Sequence, residues 1–122
     1  MSALGWNGKP KQIFQKCVHT ELELITSSKQ IDELQRVLNY PKFDFTEQEK
    51  ETFIEIVLEI AILVEITGKL NVISEDPDDN VILDTAIIGN ADYLITGDPH
   101  LLKLKQFLGV KIITANDFLD VL

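Results

Sequence analysis

The chain has 122 residues, 45% of them hydrophobic and 25% charged, which suits one domain with a buried core and excludes wholesale disorder. One cysteine excludes an internal disulfide framework, and one cysteine with two histidines excludes a structural zinc site, so any metal is expected to be held by oxygen. The net charge of −9 argues against a nucleic-acid coat protein but not against a nuclease, because clustered carboxylates that bind divalent cations add to such a balance.

No apolar leader opens the chain, and the reading is of one cytoplasmic domain over residues 1–122. Pro10 to His19 carries Ile13, Phe14 and Cys17 at helical spacing. A strand is expected at Leu22–Thr26, followed by a helix opening at Ser28 with Ile31, Leu34, Val37 and Leu38 on its apolar face and Pro41 ending it. Thr46 with Glu49 forms a capping-box pattern, predicting a long helix from there to about Thr67, with Gly68 as its stop. Its Phe53–Ile66 stretch is apolar nearly all round, carries Glu55, Glu59 and Glu65, and spans roughly two-thirds of a membrane-crossing length. We therefore expect it to be buried on two sides, one of them against a second subunit in a homodimer. Further strands are expected at Leu70–Ser74, Tyr93–Thr96 and Lys111–Thr114. Strands alternating with helices indicate an α/β fold with a parallel sheet.

In such a fold, ligands bind beyond the carboxyl ends of the strands, so the acids after strands are the candidates. The first group is Asp76-Pro77-Asp78-Asp79-Asn80. Helix initiation explains Asp76 as an N-cap and Pro77 at the first turn. Asp79 shares the stripe of Ile82, Leu83 and Ala86, while Asp84 falls off it, and a carboxylate on a buried face requires partners or a metal. The second group is Thr96-Gly97-Asp98-Pro99, where Asp98 serves equally as a cap or as a ligand and Gly97 lets backbone come close. Glu33 borders the Ile31/Leu34/Val37 stripe and, considered alone, reads as a solvated side chain. Three convergent carboxylates would suit Mg2+ or Mn2+ and phosphodiester hydrolysis. Lys9, Lys11 and Lys16 serve equally as RNA contacts or as a solvated basic stretch. His19, His100 and Cys17 are given surface and packing roles, Trp6 sits in a Gly-rich loop, and Asp117 is expected to cap a last short helix.

The segments SALGWNGKP, LITSSKQIDELQRVLNYPKF, DPDDNVILDTAIIGNADYLITGD, HLLKL and VKIITANDFL together resemble PIN-domain proteins, most closely toxin components of toxin–antitoxin pairs; the DPDDN…ADYLITGD stretch is the specific part. The resemblance implies a Rossmann-like, three-layer α/β/α domain whose acidic pocket binds Mg2+ or Mn2+ and cleaves RNA. It also implies a homodimer and a small antitoxin docking over the pocket. It places the family's ligand acids on Glu33, Asp79 and Asp98, with Thr96 as the accompanying polar residue. The family's first, central strand, which ends in an aspartate ligand, has no counterpart here, since no acidic residue precedes Glu21. Two readings stay open: a start codon placed downstream of the true one, or a catalytically inactive PIN-like module that binds antitoxin or RNA.

Overall fold

The computed structural model describes residues 9–68, 70 and 77–122, with the backbone alone at positions 10, 11, 77 and 78. Residues 71–74 of the strand expected at Leu70–Ser74, the N-cap at Asp76, and the side chains of Trp6, Lys11 and Asp78 therefore lie outside the described residues. The chain divides into two compact units, Met1–Leu63 and Val64–Leu122.

In the first unit, helix α1 (Lys9–Val18) precedes strand β1 (Leu24–Ser27), and helix α2 (Ser28–Leu38) follows without a loop. Ser27 makes that junction possible: it is extended, fully buried, and its hydroxyl accepts the Gln30 N–H at 3.4 Å. Helix α2 ends at Leu38, before Pro41, which opens a single 3-10 turn (Pro41–Phe43). Its Ile31, Leu34 and Leu38 pack with Val57 of helix α3 (Glu47–Ile60), and Phe14 of α1 stacks on Phe53 at 5.2 Å between ring centroids. Cys17 is buried, and desolvation pushes its thiol pKa up.

The capping box at Thr46 forms in full. The Thr46 hydroxyl accepts the Glu49 N–H at 3.1 Å, and the Glu49 carboxylate accepts the Thr46 N–H at 2.9 Å.

The helix it opens is shorter than expected. Rather than running to Thr67, α3 stops at Ile60, where Ala61 turns extended (φ −85, ψ 148), and strand β2 (Ala61–Val64) pairs with β1. The Phe53–Ile66 stretch is thus part helix and part strand, so a dimer through one continuous Phe53–Ile66 helix is corrected. Branched Ile62 and Val64 favour the pleated conformation, and the unbroken apolar run Ile60–Val64 carries no period to tell helix from strand. Within the single chain Val57 is the one fully buried residue of α3, while Leu58, Ile62 and Leu63 are about half exposed.

In the second unit, helix α4 (Pro77–Ile88) ends in a C-terminal turn where Asn90 takes the left-handed conformation (φ 57) and the Ala91 N–H reaches back to the Ala86 carbonyl at 2.9 Å. Strand β3 (Tyr93–Ile95) then pairs in parallel with β5 (Val110–Ile113), Leu94 opposite Ile112. Strand β4 (Gln106–Phe107) pairs antiparallel with β5, giving the order β3-β5-β4. The turn between β4 and β5 has positive φ at both central residues, Leu108 (47) and Gly109 (88). That is the twist a two-residue hairpin needs, and glycine carries the larger angle.

Helix α5 (Pro99–Leu102) and helix α6 (Ala115–Val121) complete the unit, whose core joins Leu83, Ala86, Leu94, Leu101, Val110 and Ile112. The cap of α6 is Thr114, whose hydroxyl accepts the Asp117 N–H at 3.1 Å; Asp117 itself sits in the first turn, correcting the expected cap. Asp84 is likewise buried rather than turned outward, because α4 is covered on more than the expected stripe, and its Oδ2 accepts the Gly68 N–H at 3.4 Å.

Helices with a parallel strand pair make this an α/β fold. Among the described residues no helix is long and apolar enough to cross a membrane.

Candidate metal centre

Two local structures of the second unit build the site. The first turn of α4 carries Asp79, one turn ahead of Leu83, which is fully buried in the core. That spacing turns the carboxylate inward, and Asp79 is only 4% exposed. The second structure is the exit of β3, where the Thr96 N–H bonds the Ile113 carbonyl at 3.0 Å and extends the ladder by one residue. The Thr96 hydroxyl then accepts the Asp98 N–H at 3.0 Å and folds the chain over the strand end. Asp98 caps α5: its Oδ1 accepts the His100 N–H at 2.7 Å, with Pro99 in the first turn. A Cβ at Gly97 would meet nothing within 4 Å, so the close backbone approach expected there is not what that glycine provides.

Asp79, Asp98 and His100 converge. Each offers one ligand atom, and these atoms lie within 4.8 Å of one another. His100 Nδ1 stands 3.5 Å from Asp98 Oδ1, so a single oxygen positions both the backbone and the ring of His100. The cluster is graded in exposure. Asp79 is buried, the Asp98 side chain is 29% exposed and the His100 side chain 43%. Two carboxylates facing each other at this distance repel, and a divalent cation matches their summed charge. With one side of the cluster open to solvent, this donor set fits a divalent cation that keeps a position for substrate.

Of the site residues expected from sequence, the structure thus brings together Asp79 and Asp98, with half-buried Thr96 holding the Asp98 loop. Glu33 lies in the first unit on α2, half-buried and ion-paired with Arg36 one turn on. Lys9 begins α1 and is exposed, and the Lys11 side chain is outside the described residues. His100, given a surface or packing role from sequence, stands within the cluster instead. Its signal was present as Asp-Pro-His, two acid-to-imidazole positions straddling a helix start, but a lone histidine has no periodicity to mark it.

No curated protein and no solved structure matches the chain. The family model of the PIN domain matches residues 2–100, well over half the chain. PIN domains are typically nucleases that use divalent metals, which is the chemistry that paired carboxylates at a strand's carboxyl edge can serve. On this match, the chain belongs to the PIN-domain family.

Proposed function

We propose that this protein is a Mg2+- or Mn2+-dependent endoribonuclease acting as the toxin of a toxin–antitoxin pair. The observation that carries the metal site is the convergence of Asp79 and Asp98 within one cluster in a PIN-domain chain. A divalent cation held there supplies charge neutralisation at the scissile phosphate and activation of water. The chain's own contributions are distinct. Asp79 offers a carboxylate from the protein interior, Asp98 offers one from the strand exit, and the Thr96 hydroxyl fixes the loop that aims it. Solvent access on the His100 side leaves room for a phosphodiester to approach. Glu33 enters as a further metal ligand, and Lys9 and Lys11 as RNA phosphate contacts, on the family resemblance.

An antitoxin covering the cluster would silence it. Self-association is proposed through the exposed apolar residues Leu58, Ile62 and Leu63, with Leu58→Glu shifting the sedimentation of the chain to the monomer.

The deciding experiment is cleavage of structured and single-stranded RNA with Mn2+, Mg2+ or EDTA. Cleavage that requires metal and is lost in Asp79→Ala and Asp98→Ala supports the reading. Metal binding without cleavage of any RNA replaces it with a non-catalytic PIN module, and cleavage indifferent to both substitutions refutes the site.

A further inference from the structure

We propose that His100 donates an imidazole nitrogen to the bound cation, making a mixed nitrogen–oxygen site that prefers Mn2+ and later first-row metals to Mg2+. The inference rests on the metal-site reading above and deepens it.

Three observations carry it. First, the ring is placed rather than free. The His100 backbone is tied to Asp98 Oδ1 at 2.7 Å, and its Nδ1 stands 3.5 Å from the same oxygen. Second, its ligand atom lies within 4.8 Å of those of both Asp79 and Asp98. Ligands on one cation with bonds of ~2.1 Å sit ~3 Å apart when adjacent and ~4.2 Å apart when opposite. Closing the observed cluster onto an ion therefore takes a contraction of about 2 Å or less, within reach of side-chain rotation. Third, Asp79 comes from α4 and the Asp98/His100 pair from the β3–α5 connection, so the donors approach from two separate segments. An ordinary surface ion pair between Asp98 and His100 accounts for the first observation but not for the shared approach to a buried carboxylate.

The metal preference follows from the donors. Mg2+ demands hard oxygen ligands and parts with its waters reluctantly, whereas imidazole suits transition metals, whose affinities rise from Mn2+ toward Cu2+. A neutral nitrogen adds a ligand without adding charge, so what it contributes is selectivity.

The test uses the full chain, titrated calorimetrically with Mn2+, Co2+ and Mg2+, together with electron spin-echo spectroscopy of the Mn2+-loaded protein. The wild type is expected to show hyperfine coupling to a directly bound nitrogen, which needs no variant to detect. His100→Ala and His100→Gln should lose that coupling and weaken Mn2+ and Co2+ binding about tenfold or more, with Mg2+ changed far less. His100→Asp, which restores an oxygen donor, should shift preference toward Mg2+. Mn2+ bound by the wild type without nitrogen coupling, or held as tightly by both His100→Ala and His100→Gln, overturns the proposal while leaving the metal site standing. No binding of any of the three cations overturns both.

Discussion

Replacing Asp79 by asparagine separates what the fold needs from what the site needs, because the two are opposed at this residue. Asp79 is 4% exposed, and its ligand atom lies within 4.8 Å of that of Asp98. At 4.8 Å, the outer limit of that separation, two negative charges repel by ~3.5 kcal/mol for an effective dielectric of ~20 and by ~0.9 kcal/mol for that of water. The Asp98 side chain is 29% exposed, which pulls the value toward the lower end, about 1–2 kcal/mol. Asparagine keeps the shape, removes the charge and brings a donor that can face Asp98. Well above the carboxylate titration range and in EDTA, Asp79→Asn should therefore melt higher than the wild type, by roughly 3–10 °C for a chain of this size. Saturating Mn2+ should reverse the order. A ligand at about 100 times its Kd stabilises the wild type by ~2.7 kcal/mol, and the variant loses most of that. Scanning calorimetry with and without Mn2+ reads both effects. A metal-free variant that melts lower, or one that Mn2+ raises as much as the wild type, would refute the claim that Asp79 is a charge stored for a cation.

Three further outcomes follow from the same geometry. Leu83→Ala, at a fully buried position among Leu94, Leu101 and Ile112, should destabilise by about 2–5 kcal/mol in urea unfolding; a loss below ~1 kcal/mol would mean the core around it is loose. Hydrogen bonds from Thr46 hold the Glu49 carboxyl below its usual pKa, so its contribution to α3 is present above about pH 4.5 and fades as pH falls through the lowered value. Glu49→Gln should accordingly flatten the acid limb of the stability curve, and an unchanged limb would contradict the capping box as a source of acid sensitivity. Asp98→Asn retains an N-cap residue and should unfold within ~0.5 kcal/mol of the wild type while losing Mn2+ binding, whereas Asp98→Ala should lose both the metal and about 1 kcal/mol; calorimetric titration of Asp98→Asn showing wild-type affinity would reduce Asp98 to a cap.

The elements most legible in the sequence were those with a boundary signal of their own. Thr46 and Glu49 announce the start of α3, and both hydrogen bonds of their box are formed. The YLIT and KIIT runs lie between turn residues and become β3 and β5, paired in parallel as an α/β fold requires. Where the apolar pattern runs on without punctuation, the reading failed. From Phe53 to Ile66 nothing but three glutamates interrupts the run, so the switch from helix to strand at Ala61 rests on tertiary pairing with β1, which no local pattern encodes. The β4–β5 hairpin was missed for a related reason. Its turn places Leu108 at positive φ, a position where sequence rules look for asparagine or aspartate.

The site was half legible for a physical reason that Asp98 makes plain. A helix cap and a metal ligand ask for the same side chain, a short carboxylate at a strand exit, so sequence alone gave Asp98 two roles of equal standing. In the structure the cap is formed, and it bears directly on the proposed ligand role. Because Oδ1 is occupied by the His100 N–H, the cap fixes where the carboxylate stands and simultaneously brings the histidine to the cluster. The cap thus brings together two of the three candidate donors, and Asp79 comes to the cluster from elsewhere in the unit. That division explains the burial gradient as well. A side chain set by helix packing can be deep, as Asp79 is, whereas Asp98 and His100, set by a four-residue helix, stay partly open to solvent.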